Sequence, residues 1–361
     1  MKVLFNLPSI PQYSAIFQTL KCLAKRLNSL TVITNEVDSQ YLNDTPPNLQ
    51  LLQLPRSKLR FLNGLIYKSE YHKCDVIHDT FGYFLPIGIL TKFSKSKYIT
   101  SGWGCSASWY YKAKEIGFED EEELNLHRRL MFREHINTML CKAILVNSPS
   151  FTKDYAEFYG YSKSKMFEVP EPVIINQETR YVSKQDKTFN ILYLGNISKM
   201  KGIHVLLEAF EKLLEAGHDA KLTAIGKYIP HDRHIIEQRS WKNVDILEPV
   251  GHHELSKYFQ KADLYVHPSY QEGMPRVVME ALSYGVPVVA SDLPGIRAID
   301  GNSDLIRFME NYDSNNLKNI LCDELIHPRK NANYFRDARA RMADFSPEKI
   351  ADKIFKIYEM L

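Results

Sequence analysis

The chain has 361 residues, 44% of them hydrophobic and 25% charged, which is ordinary for a globular protein and long enough for two domains. A formal net charge of +3 gives no general electrostatic reason to bind nucleic acid. Five scattered cysteines without a C-x-x-C pair disfavour a disulfide framework or a zinc site and favour a reducing compartment. The start, MKVLFNLPSIPQ, does not resemble a signal peptide, and no apolar run approaches the roughly 20 residues of a membrane span. We therefore expect a cytoplasmic protein.

Short apolar runs alternate with helical patterns along the first half of the chain. The predicted strands are residues 3–6, 30–34, 51–54, 75–78, 97–101 and 143–147. The predicted helices are residues 13–27 and 112–140, and the acidic run at 119–123 suits a solvated helix start. This alternation predicts a doubly wound parallel sheet.

Residues 169–188 carry turn signals and little periodicity, so we predict an interdomain linker there. A second alternating pattern follows the linker. Its predicted strands are residues 190–194, 221–225, 244–247, 264–266 and 286–290. Its predicted helices are residues 205–216, 254–260, 277–283 and 347–361. We therefore expect two α/β domains of similar size with a cleft between them.

The stretch ADLYVHPSYQEGMPRVVMEALSYGVPVVASD, residues 262–292, is the most informative one. It predicts strand, loop, helix and strand, with the loop at the edge where parallel sheets bind ligands. Glu272 and Glu280 would lie roughly 12 Å apart if the segment were helical throughout, wider than the roughly 5–9.5 Å of a glycosidase pair. Two such acids suit the hydroxyl-bearing ends of an extended ligand, and helix amides between them suit a diphosphate. The alternative is two solvated helix acids.

The loop GNISKMKG follows the predicted strand ILYL and precedes a helix. Its glycines allow close backbone approach, and Lys201 near the helix start could face a phosphate. The alternative is a solvated turn. The loop is neither a Walker motif nor G-x-G-x-x-G, which disfavours a dehydrogenase.

The order of these motifs resembles the retaining GT-B glycosyltransferases of family 4 (glycosyl transferases group 1). The resemblance rests on three segments: LGNISKMKGIHVLLEAF, VGHHELSKYFQKADLYVHPS and EGMPRVVMEALSYGVPVVASDLPG. It is specific over residues 190–299 and looser in the first domain, where DVIH and KAILVNSPS are similar to family segments.

The resemblance implies a GT-B fold of class α/β, with two doubly wound Rossmann-like domains facing across a cleft. The expected divisions are an acceptor-side domain at 1–175, a nucleotide-sugar-binding domain at 176–345, and a C-terminal helix at 346–361 that crosses back onto the first domain.

The resemblance also implies residue roles. Glu272 would bind hydroxyls of the transferred sugar and is a candidate catalytic residue, Glu280 would hold the ribose, and Lys201 would bind the diphosphate. The expected donor-binding set is Gly195, Asn196, Lys201, Gly273, Met274, Arg276, Val277 and Glu280.

The implied activity is transfer of a hexosyl group, with retention, from a UDP- or GDP-linked sugar to a glycan, lipid-linked or other acceptor in polysaccharide or glycoconjugate biosynthesis. No cofactor and no metal are expected, because a cation and helix amides would neutralise the leaving diphosphate. The alternatives are an epimerase or a phosphorylase on the same fold, and a non-catalytic nucleotide-sugar-binding module.

Three departures from the family pattern stand out. Asn196 replaces a frequent Arg, the loop PSIPQYS lacks a Gly-Gly pair, and residues 100–103 contain no histidine. They put the donor identity and the rate in doubt. His78 is the remaining first-domain candidate for a catalytic residue, although a lone histidine at a strand end is more often structural.

The acceptor is expected on the aromatic-rich first domain, with Trp103 and Tyr83 as candidates, although aromatic residues also serve core packing. The basic and apolar segment at residues 54–68 could contact an acidic membrane surface on the cytoplasmic side, or could be a solvated helix packed on the sheet.

Overall fold

The computed structural model describes residues 1–10, 14–37, 42–54, 73–80, 88–89, 91–92, 94–181, 188–237 and 240–361. The chain divides into two compact units. Unit 1 comprises Met1–Tyr110, Glu122–Pro172 and Phe345–Leu361, and unit 2 comprises Tyr111–Glu121 and Val173–Asp344. The basic and apolar segment at 54–68, for which membrane contact and a solvated helix were the two interpretations, lies almost entirely outside the described residues, since only Leu54 is described.

Unit 1 is built on a parallel sheet whose described strands run in the order β3-β2-β1-β4-β5-β6-β7. The strands are β1 (Lys2–Asn6), β2 (Ser29–Thr34), β3 (Leu49–Gln53), β4 (Val76–Thr80), β5 (Lys97–Gly102), β6 (Ala143–Val146) and β7 (Met166–Glu168). The strand order reverses between β1 and β4. Parallel α/β sheets commonly bind ligands beyond the carboxyl ends of the strands at such a reversal.

Unit 2 repeats this plan with a parallel sheet whose described strands run in the order β10-β9-β8-β11-β12-β13. The strands are β8 (Phe189–Leu194), β9 (Ala220–Ile225), β10 (Val244–Leu247), β11 (Leu264–His267), β12 (Val288–Ser291) and β13 (Ile306–Met309). Here the order reverses between β8 and β11, so the loops that follow these two strands leave the sheet side by side.

The described helices connect and cover the strands. The helices that lie wholly or partly in unit 1 are α1 (Ser14–Ala24), α2 (Ser106–Glu115), α3 (Glu121–Leu140), α4 (Pro149–Tyr159) and the C-terminal α12 (Pro347–Met360). In unit 2 they are α5 (Ile203–Glu215), α6 (His234–Glu237), α7 (His252–Lys261), α8 (Arg276–Ser283), α9 (Pro294–Asp300), α10 (Ser314–Ile326) and α11 (Ala332–Met342).

The C-terminal helix α12 packs against α1 in unit 1, although the chain from Val173 to Asp344 belongs to unit 2. Its apolar face is buried in the same core as Phe5, Phe17 and Leu20. The buried residues of this face are Ile350, Ala351, Ile354, Ile357 and Tyr358. The prediction that the last helix returns to the first domain is therefore confirmed.

Several features differ from the sequence expectation. The single helix predicted at 112–140 is two helices, because α2 ends at Glu115 and the turn after it contains Gly117, whose φ of +66° suits a residue without a Cβ atom. Helices α4, α6, α9, α10 and α11 were not predicted. Strands β7 and β13 were not predicted, and β7 has only three residues. The acidic run does lie at a helix start, since α3 begins at Glu121.

Candidate active site

The candidate site lies where the strand order of the second sheet reverses. Strand β8 ends at Leu194 and leads into the lysine loop, while β11 ends at His267 and leads into the loop that carries Glu272. Because β8 and β11 are hydrogen-bonded neighbours, their loops emerge at the same edge. The topology therefore brings Lys201 and Glu272 together although 71 residues separate them.

Gly202 allows these two loops to touch through their backbones. It has a φ of +70°, and a Cβ atom placed there would lie 2.0 Å from the carbonyl oxygen of Pro268. The Tyr270 amide also donates to the Met200 carbonyl oxygen at 3.0 Å. No residue with a side chain fits at position 202 without moving one of the loops.

The contact between the two loops brings Lys201, Glu272 and His267 together in a Lys–Glu–His cluster. The Lys201 ammonium nitrogen lies 2.6 Å from Oε1 of Glu272, and Nε2 of His267 lies 3.0 Å from the same oxygen. The Glu272 side chain is 12% exposed, that of His267 only 4%, and that of Lys201 32%. The carboxylate is thus nearly buried, and the lysine remains accessible from solvent.

The electrostatics keep this carboxylate ionised. Burial by itself raises the pKa of Glu272, but the Lys201 charge and the hydrogen bond from His267 outweigh burial and hold the pKa well below its usual range. Glu272 is therefore negative at neutral pH and can accept hydrogen bonds from hydroxyl groups.

The first turn of α8 provides backbone donors beside this cluster. Pro275 is the N-cap residue, and no side chain caps the helix there. Arg276 and Val277 are the first two helical residues, and Gly273 and Met274 precede them in the loop. An N-terminus of this kind favours anions, because its amides point outward and the helix dipole adds to them.

The helix begins only at Arg276, so the segment from Glu272 to Glu280 is not helical throughout. The separation of roughly 12 Å depended on that assumption, and it does not apply. Glu280 lies on the second turn of α8 and is partly exposed.

The remaining predicted donor residues lie in the lysine loop. Gly195 follows β8 directly, and its carbonyl oxygen would be 1.7 Å from a Cβ atom on Gly226, so β9 also approaches this loop closely. Asn196 is exposed, and its carbonyl oxygen accepts a hydrogen bond of 2.7 Å from Tyr193. The donor-binding roles assigned to these residues stay predictions.

His78 lies on β4 in unit 1 and is 1% exposed. Its Nδ1 is 2.6 Å from the Tyr358 hydroxyl on α12, and its Nε2 is 2.7 Å from the Ser101 hydroxyl. Burial lowers the pKa of His78 to about 3, so the ring is neutral at physiological pH. Its catalytic role stays a prediction, and both ring nitrogens already have partners within unit 1.

Trp103 and His78 line one cavity in unit 1 that also includes Ser101 and Glu171 and is otherwise mainly apolar. The structure thus places the predicted acceptor-side tryptophan beside the predicted histidine. Tyr83, the other acceptor-side candidate, lies outside the described residues.

Two residues of the site were missed by the sequence reasoning. His267 and Tyr265 lie on β11, and the Tyr265 hydroxyl is 3.1 Å from Nδ1 of His267. A histidine that ends a buried strand directly before Pro268 and five residues before Glu272 was the available signal.

Within the described part of the chain, no group of three or more His, Cys, Asp or Glu side chains is arranged to hold a metal ion. Among the described helices, none is both long and apolar enough to cross a bilayer.

The part of the chain that carries this site matches a known family. Residues 175–339 match the family described as glycosyl transferases group 1. This range contains Lys201, Glu272 and Glu280. Over residues 175–339 the chain is therefore similar to the glycosyl transferases of group 1.

Curated relatives agree with the family match over parts of their length. The putative teichuronic acid biosynthesis glycosyltransferase TuaC of Bacillus subtilis is 36% identical over 110 residues, which cover 30% of this chain and 26% of TuaC. A D-inositol 3-phosphate glycosyltransferase of Corynebacterium diphtheriae is 24% identical over 70% of this chain and 64% of its own length. The matched regions span only about a quarter to two thirds of these two relatives.

Solved structures match the whole chain in fold. Anabaena HepE in complex with UDP-glucose superposes with a TM-score of 0.75 at 16% identity, and the match covers 100% of both chains. The glycosyltransferase WaaG, involved in lipopolysaccharide biosynthesis, superposes with a TM-score of 0.70 at 17% identity over 99% of both chains. The two parallel α/β units thus have the fold of GT-B glycosyltransferases, and the predicted fold class is confirmed.

Proposed function

We propose that this protein is a retaining glycosyltransferase that moves a hexosyl group from a nucleotide diphosphate sugar to a glycan, lipid-linked or other acceptor. The observation that carries the proposal is the ion pair of the accessible Lys201 with the nearly buried Glu272, beside the uncapped start of α8. It combines a cation and helix amides for a diphosphate with an ionised carboxylate for sugar hydroxyls.

The donor would bind across this edge of the sheet. Lys201 and the backbone amides of Gly273, Met274, Arg276 and Val277 would take the diphosphate. Glu272 would accept from the sugar, and Glu280 would accept from the ribose. A diphosphate would compete with Glu272 for Lys201, so binding would loosen the 2.6 Å ion pair and leave the carboxylate available to the sugar. The HepE complex supports a UDP-linked sugar as the first donor to test.

The implied charge neutralisation does not require a metal ion, because the cation and the helix dipole oppose the charge of the leaving diphosphate. We expect turnover to be unchanged after exhaustive treatment with EDTA. A loss of activity that Mg²⁺ or Mn²⁺ restores would contradict this expectation.

The match to TuaC supports a role in the biosynthesis of a cell-surface polysaccharide. The lipid-linked alternative would place the enzyme at the cytoplasmic face of a membrane.

The test begins with a thermal-shift screen of UDP, GDP and their sugars, because a bound donor raises the Tm through linkage. The stabilising donor is then incubated with glycan and lipid-linked acceptors, and the anomeric configuration of the product is read by NMR. Transfer with retention supports the proposal. Inverted product, sugar epimerised without transfer, phosphate-dependent cleavage, or binding without turnover would each overturn it.

A further inference from the structure

His267 is fixed at the end of β11 by contacts on both ring nitrogens. Its Nδ1 lies 3.1 Å from the Tyr265 hydroxyl, and its Nε2 lies 3.0 Å from Oε1 of Glu272. The Tyr265 hydroxyl also donates to the carbonyl oxygen of Leu194 at 3.1 Å. Leu194 is the last residue of β8, so this chain of contacts joins both strands at the reversal point.

The positions of the hydrogen atoms in this series of contacts follow from the atoms that can only accept. An ionised carboxylate only accepts hydrogen bonds, so the Nε2 contact is favourable only if Nε2 carries a hydrogen. The tyrosine hydroxyl can share its hydrogen between Leu194 and Nδ1, and Nε2–H is required in either arrangement. The partner on one ring nitrogen and the carboxylate on the other thus fix the orientation of the ring.

The two donors reach the same carboxylate oxygen. Lys201 and His267 both bond to Oε1 of Glu272, whereas Oε2 has no hydrogen-bond partner among the described residues. With Oε1 held from two directions, the carboxylate cannot rotate without losing a contact. Oε2 is therefore the oxygen that remains to accept from a ligand.

We propose that His267 is a positioning residue that fixes Oε1 of Glu272 and so presents Oε2 to a hydroxyl group of the transferred sugar. The proposal rests on the proposed function, since it assigns the sugar to Glu272. It also implies that a diphosphate that draws Lys201 away would leave Glu272 in place, because the Nε2–H bond from His267 to Oε1 would remain.

Two substitutions at position 267 test this role. In His267→Leu the ring is replaced by an apolar side chain of similar reach, which keeps the packing and removes the donor. In His267→Gln the side-chain amide can still donate near the position of Nε2. We expect His267→Leu to lower kcat by about 10- to 100-fold with a smaller change in donor KM, and His267→Gln to recover most of it. Equal losses in both variants, or full activity in His267→Leu, would overturn the proposal.

An NMR measurement separates this proposal from the proposed function, because it needs no turnover and its first reading is made on the wild-type protein. In ¹⁵N-histidine-labelled protein, we expect Nε2 of His267 to carry a hydrogen at neutral pH, seen by its one-bond coupling. In Glu272→Ala, this hydrogen should exchange faster with water. A bare Nε2 in the wild type would overturn the positioning role, whereas a normal Nε2–H with no transfer to any acceptor would overturn only the proposed function.

Discussion

The two units place a buried histidine at matching points, and the partners of each ring decide what it can do. His78 lies on β4 and His267 on β11, each on the strand where its sheet reverses order. His78 faces two neutral hydroxyl groups, whereas His267 faces an ionised carboxylate. Position in the topology is thus shared, and the partners of each ring set its chemistry. The partners of His78 come from other elements of unit 1, whereas Tyr265 and Glu272 lie within five residues of His267.

A histidine at a sheet edge is therefore weak evidence of catalysis unless the side chains that contact its ring are known. His78 contributes to the packing of α12 through Tyr358, a contact that spans 280 residues of sequence. His267 holds an acid that a ligand can reach. Three experiments test this contrast.

The largest expected effect comes from removing the cation of the second unit. Lys201→Ala deletes the ammonium 2.6 Å from Glu272, and we expect transfer to fall by about 100- to 1,000-fold because the leaving diphosphate loses a stabilising charge. Initial rates at saturating donor and acceptor measure the effect.

The matched control is Lys221→Ala, which removes another lysine–carboxylate pair, with Asp245 at 2.7 Å, where both side chains are about half exposed. Such surface pairs contribute at most about 1 kcal/mol, so its rate should equal that of the wild type. Normal turnover in Lys201→Ala would remove the basis of the donor assignment.

The second experiment separates the two loops of the site. Gly202→Ala introduces a Cβ atom 2.0 Å from the Pro268 carbonyl oxygen at a φ of +70°. We expect a loss of about 3 kcal/mol or more from strain and overlap, which corresponds to a Tm lower by roughly 6–12 °C.

Gly217→Ala is the control, because its φ is +86° but nothing lies within 4 Å of the added atom. Backbone strain alone costs about 1–2 kcal/mol, so its Tm should fall by only a few degrees. Equal shifts in both variants would show that the loop contact does not constrain position 202.

The smallest effect concerns the pH dependence of stability in the first unit. The folded protein keeps His78 neutral down to a pKa of about 3, whereas an unfolded histidine takes up a proton near pH 6.5. Between these values the unfolded state binds more protons, so the free energy of unfolding falls as the pH drops, by about 1.4 kcal/mol per pH unit for this group.

The variant His78→Asn lacks this proton uptake on unfolding. In urea titrations, the free energy of unfolding of the variant should therefore rise steadily relative to that of the wild type from pH 6 to pH 4. Burial also lowers the pKa of His127 and His204, each to about 4, and these groups titrate in both proteins. If the free energies of unfolding of the two proteins change with pH in parallel, the folded state does not keep His78 neutral over this range.

Much of this fold follows from local sequence patterns. The described strands other than β7 and β13 were predicted to within a few residues, because parallel strands are buried on both faces and appear as apolar runs. Strand β7 escaped prediction because its three residues show no period, and the break between α2 and α3 depends on the conformation of one glycine.

The site could be predicted only in part. Lys201 and Glu272 were each ambiguous by spacing, and the family resemblance supplied their association. The His267–Glu272 contact escaped because the sequence does not show which face of β11 meets the following loop. The pairing of His78 with Tyr358 depends on the return of the last helix and has no local signal.

The assignment of α12 to unit 1 has a consequence for protein synthesis. The ribosome makes residues 1–172 first, but the core around Phe17 and Leu20 also requires Ile350, Ile354 and Tyr358. The first unit therefore cannot close its core until the second has been translated. A nascent chain stalled before residue 347 would expose the apolar face of α1, and the N-terminal half would be the last part of the protein to become resistant to proteases.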